Sequence, residues 1–271
     1  MHNKVSQQLE SPKKIGVFYI WRVFATGLSF TLFGIGGPII SIGVGIALYF
    51  TPISTERRKT LARSTIKRSF QLYIRFMRAC GLITYEITGS ENIPTSGEII
   101  VANHPTLLDV VFITSLIENA NCIVKKALTN NIFTRPPISA AKFIRNDEPN
   151  FIESCVESLN QDSPLIIFPE GTRSVPGSPL KFQRGAANVA IAARANITPV
   201  LIQCSPPTLM KHQKWYNIPS TPPHFEIEFH PSIPIEQYLD TDAPQCKTSR
   251  KVTKDLTTWF SARLPESYKS N

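Results

Sequence analysis

The longest feature in the hydrophobic pattern is an uncharged run of 28 residues, from Val23 to Phe50. As a helix it would be about 42 Å long, against a bilayer hydrocarbon core of roughly 30 Å. A signal peptide has a shorter apolar region, of about 7–15 residues. We therefore predict an N-terminal segment, 1–55, with a membrane segment at about 23–50. Pro38 and nearby glycines permit either one kinked span or a short hairpin.

The next stretch, 56–80, has apolar residues at helical spacing with basic residues between them, which predicts a basic amphipathic helix. The predicted polar surface consists of Arg57, Arg58, Lys59, Arg63, Lys67, Arg68, Arg75 and Arg78. Anionic lipid headgroups attract such a helix by about 1 kcal/mol per basic residue. The alternative is a solvated helix that only packs on the following domain. The excess of positive charge places this helix and that domain on the cytoplasmic side.

From residue 82 to 271, short apolar runs alternate with helical patterns. Strands are predicted at 83–88, 98–102, 122–124, 164–168, 198–203 and 225–230, and helices at 106–118, 149–160, 184–195 and 248–264. This alternation predicts an α/β domain with a mostly parallel central sheet flanked by helices. The Pro-rich region 205–223 is predicted to be an irregular loop, of the kind that often covers a site.

Charge is distributed unevenly along the chain, whose formal net charge is +9. Residues 1–78 carry a net charge of +10, whereas residues 79–271 carry −1. A nucleic-acid-binding protein has basic residues on its folded surface, so we expect no nucleic-acid partner. The five cysteines are widely spaced, which predicts neither a disulfide framework nor a metal site.

The first candidate for chemistry is the pattern Asn-His-x-x-x-x-Asp at 103–109, directly after a predicted strand. Pro105 suits the first turn of a helix, which would leave His104 in the loop and place Asp109 inside the helix. The carboxylate could then hold one imidazole nitrogen and leave the other as a base. The alternative is a histidine that serves only as a hydrogen-bonded turn residue.

A second candidate, Phe-Pro-Glu-Gly-Thr-Arg-Ser at 168–174, also follows a predicted strand. Open α/β sheets build their sites where strands end. Gly171 would let the backbone approach a ligand, Thr172 offers a hydroxyl, and the Arg173 guanidinium matches a phosphate. An ordinary polar loop is the alternative. The sequence contains no Gly-x-Ser-x-Gly elbow, Walker loop or dinucleotide-binding fingerprint.

Together, the two motifs resemble those of the glycerolipid acyltransferase family, the PlsC-like 1-acyl-sn-glycerol-3-phosphate and lysophospholipid acyltransferases of bacteria. The resemblance covers about 82–230, because 182–186 and 197–200 are similar to the family's further motifs. The stretch 140–147 departs from the family pattern, since it lacks a glycine and its Arg145 lies one position early. This departure bears on the acceptor more than on the chemistry.

The resemblance implies an O-acyltransferase that moves a fatty acyl group from acyl-CoA or acyl carrier protein to the hydroxyl of a lysophosphatidate-like lysophospholipid. His104 would be the general base, held by Asp109. The implied substrate-binding residues are Glu170, Gly171, Thr172, Arg173, Arg145 and Arg184. Glu170 is expected to order its loop more than to touch an anion.

The reaction requires no metal and no cofactor beyond the thioester cosubstrate. We expect the protein at the bacterial inner membrane, on anionic lipids, with its catalytic domain on the cytoplasmic side. Three alternatives stay open: a different lipid or hydroxyl acceptor, a thioester hydrolase, and a non-catalytic membrane adaptor.

Overall fold

The structure is a computed structural model and describes residues 17–49, 51–175, 177–239 and 244–265. Within these ranges, seven strands form one sheet in the order β1-β7-β6-β2-β5-β3-β4. The strands are β1 Thr84–Thr88, β2 Ile99–Ala102, β3 Asn121–Val124, β4 Ile144–Arg145, β5 Leu165–Ile167, β6 Ile197–Ser205 and β7 His224–Phe229. Of the six pairs of neighbouring strands in this described sheet, five are parallel and the β6–β7 pair is antiparallel. The predicted mostly parallel α/β sheet is confirmed.

Helices cover both faces of the sheet. They are α1 Val17–Tyr49, α2 Thr55–Ala79, α3 Asp109–Leu116, α4 Lys126–Asn130, α5 Arg135–Ala141, α6 Phe151–Asn160, α7 Gly185–Ala193 and α8 Gln245–Arg263. Ile100 of β2 belongs to the core shared with α1, α2, α3 and α5, whereas its neighbour Ile99 belongs to the core shared with α6, α7 and α8. Alternate residues of a strand point to opposite faces, so one short apolar strand supports both layers.

The apolar N-terminal segment forms one continuous helix, α1, with Pro38 inside it, rather than a hairpin within 23–49. Residues Val17–Ile40 are long and apolar enough to cross a membrane, and 17% of the most apolar stretch is buried. The helix packs antiparallel to α2, because the Trp21 indole donates to the Cys80 carbonyl (3.1 Å) and the ring of Phe33 lies 5.2 Å from that of Tyr73. An apolar helix that is this exposed indicates association with a membrane.

Two basic residues of α2 depart from the prediction because they are buried rather than on its polar surface. Arg63 is 3% exposed and donates to the carbonyls of Ala141 and Asn119 and to the hydroxyl of Ser163. Burial lowers the pKa of Arg63 to about 10. Lys59 donates to Gln161 (2.7 Å). Through these contacts, Arg63 and Lys59 attach α2 to the domain.

The helix after β2 also differs from the prediction, since α3 begins at Asp109 and not near residue 106. The Asp109 carboxylate accepts hydrogen bonds from Thr106, which keep 104–108 as a loop. Helices α4 and α5 and strand β4 were not predicted, because each is too short to show a hydrophobic period.

Candidate active site

The two sequence motifs meet at the edge of the sheet where the parallel strands β2, β3 and β5 end, called here the carboxyl edge. Val101 of β2 pairs with Ile167 of β5, so the loops that follow these strands leave the sheet side by side. His104 lies in the first loop, and Glu170 lies in the second. Parallel register therefore brings together residues that are far apart in the sequence.

His104 and Asp109 form a directly hydrogen-bonded pair, with Nδ1 of the imidazole 2.9 Å from Oδ2 of the carboxylate. Asp109 is completely buried and also accepts from the Thr106 backbone N–H (2.7 Å) and hydroxyl (2.6 Å). Burial raises the pKa of Asp109, and the hydrogen bonds from His104 and Thr106 oppose that rise. With Nδ1 engaged by the carboxylate, Nε2 is the ring nitrogen left to exchange a proton with a ligand.

The second loop holds the backbone of His104 on both sides. The His104 N–H donates to Oε1 of Glu170 (2.9 Å), and the His104 carbonyl accepts from the N–H of Ser174 (2.7 Å). The Ser174 hydroxyl donates to the same Oε1 (2.8 Å), and the Phe168 ring lies 4.5 Å from the imidazole. Burial raises the pKa of Glu170. In this structure Glu170 contacts the main chain of the candidate base.

A further restraint on the first motif comes from Asn103, which is buried. Its side chain donates to the carbonyl of Ile202 and accepts from the N–H of the same residue, each at 2.8 Å. Sequence reasoning assigned no role to Asn103, Thr106 or Ser174. All three lie inside the two motifs, so their position in those motifs was the available signal.

The Gly171–Arg173 stretch continues the second loop toward the Pro-rich region. Gly171 has a φ of +65°, a conformation that favours glycine. The Arg173 guanidinium donates through Nη1 to the carbonyls of Leu209 (2.8 Å) and Met210 (3.0 Å). Since the Leu107 N–H donates to the Leu209 carbonyl as well, the region 205–223 is attached to both motif loops. The predicted irregular loop therefore lies against the site.

The region that contains the two motifs is similar to known proteins. The family model described as Acyltransferase matches residues 84–203, a range that contains both motifs. This chain therefore contains a domain that matches the acyltransferase family. The 1-acyl-sn-glycerol-3-phosphate acyltransferase of Helicobacter pylori is 29% identical over 177 residues, which cover 60% of this chain and 69% of that protein. The alpha enzyme of the same name from Homo sapiens is 24% identical over 209 residues, covering 73% and 71%.

The acyltransferase also shares its fold with a solved structure. The crystal structure of the 1-acyl-sn-glycerophosphate acyltransferase PlsC from Thermotoga maritima aligns with a TM-score of 0.66 and 20% identity. The alignment covers 91% of this chain and 98% of that one. At this identity, it shows the fold alone.

Two further candidate arginines of the acyltransferase lie outside the two motif loops. Arg145 is on β4, three strands from β2 and thus about 14 Å away across the sheet. Its guanidinium binds both carboxylate oxygens of Asp147, at 2.9 and 2.8 Å. Arg184 is exposed just before α7, next to Gln183, whose N–H donates to the Pro169 carbonyl. Among the described contacts, neither arginine is hydrogen-bonded to His104.

Three cysteines of the acyltransferase have thiols that burial keeps protonated. Burial raises the pKa of Cys122, Cys155 and Cys204 to about 12. A thiol reacts as the thiolate, so these three are poor nucleophiles at neutral pH. In the part of the chain that the structure describes, no three His, Cys, Asp or Glu side chains are grouped as metal ligands.

Proposed function

We propose that this acyltransferase moves a fatty acyl group from an acyl-CoA or acyl carrier protein thioester to the free hydroxyl of lysophosphatidate. The observation that carries the proposal is the hydrogen bond between His104 and the buried Asp109, which leaves Nε2 as the available base. The relatives named as 1-acyl-sn-glycerol-3-phosphate acyltransferases supply the acceptor class.

In the proposed step, Nε2 of His104 takes the proton of the acceptor hydroxyl as its oxygen attacks the thioester carbonyl carbon. The C–S bond breaks, and the leaving thiolate receives the proton from the imidazolium. The Asp109 carboxylate stabilises that imidazolium through Nδ1. General-base assistance of this kind accelerates a reaction by about 10²–10⁴-fold.

The acceptor phosphate would be held by the second motif. Arg173 directs Nη1 to two carbonyls, so its Nε and Nη2 donors are the ones proposed to bind the phosphate. The Thr172 hydroxyl and the Gly171 backbone would complete this contact. Glu170 would position His104, since its carboxylate already accepts from that backbone. Arg145 and Arg184 are proposed to contact the acceptor only outside the phosphate-binding site.

The proposed chemistry uses no metal or cofactor, because a general base and a thioester suffice for acyl transfer. We place the enzyme on the cytoplasmic face of the bacterial inner membrane. The exposed apolar α1 and the net charge of +10 over residues 1–78 support this placement.

The test is thioester-dependent thiol release by detergent-purified protein, with acyl-CoA and acyl carrier protein as donors, with and without lysophosphatidate. We expect acceptor-dependent release that is lost in His104→Ala. Fatty acid released equally without acceptor would indicate a thioester hydrolase. Full complementation of an acyltransferase-deficient strain by His104→Ala would indicate an adaptor. Transfer only to another lysophospholipid would identify a different acceptor.

A further inference from the structure

Exposed large apolar side chains are concentrated in a few parts of the described chain. Most lie on α1, and two lie on α2. The remainder lie on loops that follow the carboxyl ends of β2, β3, β5 and β6, at the edge of the sheet on which the His104 loop also lies. The loops after β2, β5 and β6 carry Leu107, Val175, Trp215 and Tyr216. Among described residues, α6, α7 and α8 on the other side of the sheet carry none.

The β3 loop has the most exposed of these groups. Ile132 is 77% exposed, Phe133 53% and Leu128 42%. They lie on α4 and in the turn that leads into α5, within the connection that leaves the carboxyl end of β3. Two adjacent large apolar residues at such exposure are costly in water, which indicates that something covers them.

Basic residues flank this apolar group. Lys125 and Lys126 precede it, and Arg135 follows it, all three exposed. Lys126 lies 3.3 Å from Asp147, which leaves a net positive charge from the other two. An apolar tip between cations fits the boundary between acyl chains and anionic headgroups.

We infer that residues 125–135, the 125–135 segment, form a second membrane contact, separate from α1, that inserts into the headgroup region of an anionic bilayer. Three observations choose the bilayer over another occupant. The segment leads into α5, which packs against the membrane-associated α1. It lies on the same edge of the sheet as His104, and its flanking charge is positive.

If the proposed function holds, this membrane contact also affects how the enzyme captures its acceptor. A bilayer against the carboxyl edge would fix the height of His104 over the leaflet that supplies the acceptor. Loss of the contact would then affect capture of a bilayer-embedded acceptor, and it would spare an acceptor that arrives from solution.

The direct test places a tryptophan in the segment. The Phe133→Trp protein would be reconstituted in phosphatidylcholine–phosphatidylglycerol vesicles, with and without brominated acyl chains. The matched control is Asn160→Trp, an exposed position at the opposite edge of the sheet. We expect the added fluorescence of Phe133→Trp to shift to the blue and be quenched, and that of Asn160→Trp to do neither. Equal quenching in both proteins would overturn the inference. A blue shift that follows protein concentration in lipid-free detergent would overturn it too, in favour of a second copy.

A kinetic test uses the double variant Ile132→Ser/Phe133→Ser. We expect KM for lysophosphatidate in vesicles to rise about ten-fold, with kcat toward a short-chain monomeric acceptor unchanged. An unchanged KM in vesicles, or an equal loss with both acceptors, would contradict the inference. The fluorescence experiment needs no turnover, so absence of acyl transfer by the wild type would remove the proposed function and leave the membrane contact to be decided by quenching.

Discussion

The Glu170 carboxylate accepts a hydrogen bond from the backbone N–H of His104 at 2.9 Å, across 66 positions of sequence. The same oxygen accepts from the Ser174 hydroxyl, and the Ser174 N–H returns to the His104 carbonyl. The candidate base is therefore held at its side chain by Asp109 and at its main chain by the second motif. Glu170 and Ser174 thus fix the position of the His104 backbone in the absence of substrate.

Replacing Glu170 separates its role as a hydrogen-bond acceptor from its charge. Glu170→Ala removes the acceptor for two donors, so we expect kcat to fall by about 100-fold through displacement of His104. Glu170→Gln keeps an acceptor oxygen and should retain most of the activity. Steady-state kcat and KM measure both effects. Equal loss in the two variants, or a change in KM alone, would show that the carboxylate acts on substrate instead.

The raised pKa of Glu170 predicts how stability depends on pH. The folded state binds the proton of this carboxyl more tightly than the unfolded state does, so its charge costs stability as pH rises from about 4.5 through the raised pKa. Glu170→Gln lacks this cost. Its Tm relative to wild type should therefore increase with pH over that window and level off above it. Thermal unfolding across a pH series checks this, and a difference that is constant or falls with pH contradicts it.

Asp109→Asn should abolish most catalysis without unfolding the protein. The amide cannot stabilise the imidazolium, and it allows the wrong tautomer, so we expect kcat to fall by about 10³–10⁴-fold. Asp109 accepts from the Thr106 N–H and hydroxyl on different oxygens, so the single amide oxygen can still accept one of these two hydrogen bonds. The variant should therefore stay folded, with a Tm somewhat below that of wild type. A fall of less than ten-fold in a folded variant would mean that His104 works without its carboxylate.

The chemistry-bearing motifs could be predicted because each is local, with its residue types following one strand. The meeting of His104 and Glu170 could not, since it depends on the register of Val101 against Ile167 in the parallel sheet. The start of α3 was missed for a related reason. A carboxylate that accepts from Thr106 competes with the first turn of the helix, and residue propensity does not report that competition.

The basic pattern of α2 was informative about helix formation but not about which cations face solvent. Arg63 and Lys59 fit the polar face of an amphipathic helix, yet both are buried against loops that lie far along the chain. Carbonyl and amide oxygens satisfy their donors in the fold. A sequence pattern cannot show those acceptors, because they come from residues 119–163.

Arg173 links the second motif to the Pro-rich region, so Arg173→Lys should affect both. A lysine presents one cationic nitrogen in place of a planar fork and cannot hold two carbonyls and a phosphate together. We expect KM for lysophosphatidate to rise about ten-fold, with faster tryptic cleavage at Lys211 and Lys214. Arg250→Lys, on the exposed surface of α8, is the matched control. Faster cleavage with unchanged KM would confine Arg173 to holding the loop.

The buried Arg63 should contribute more to stability than any exposed cation of α2. Arg63→Ala leaves the carbonyls of Ala141 and Asn119 without that donor, at a site where the arginine side chain is buried. We expect a loss of about 3 kcal/mol in the free energy of unfolding. Arg68→Ala, exposed on the same helix, should lose less than about 0.5 kcal/mol. Denaturant unfolding in detergent compares the two variants. Equal losses would mean that the guanidinium of Arg63 stabilises the helix itself and not its attachment to the domain.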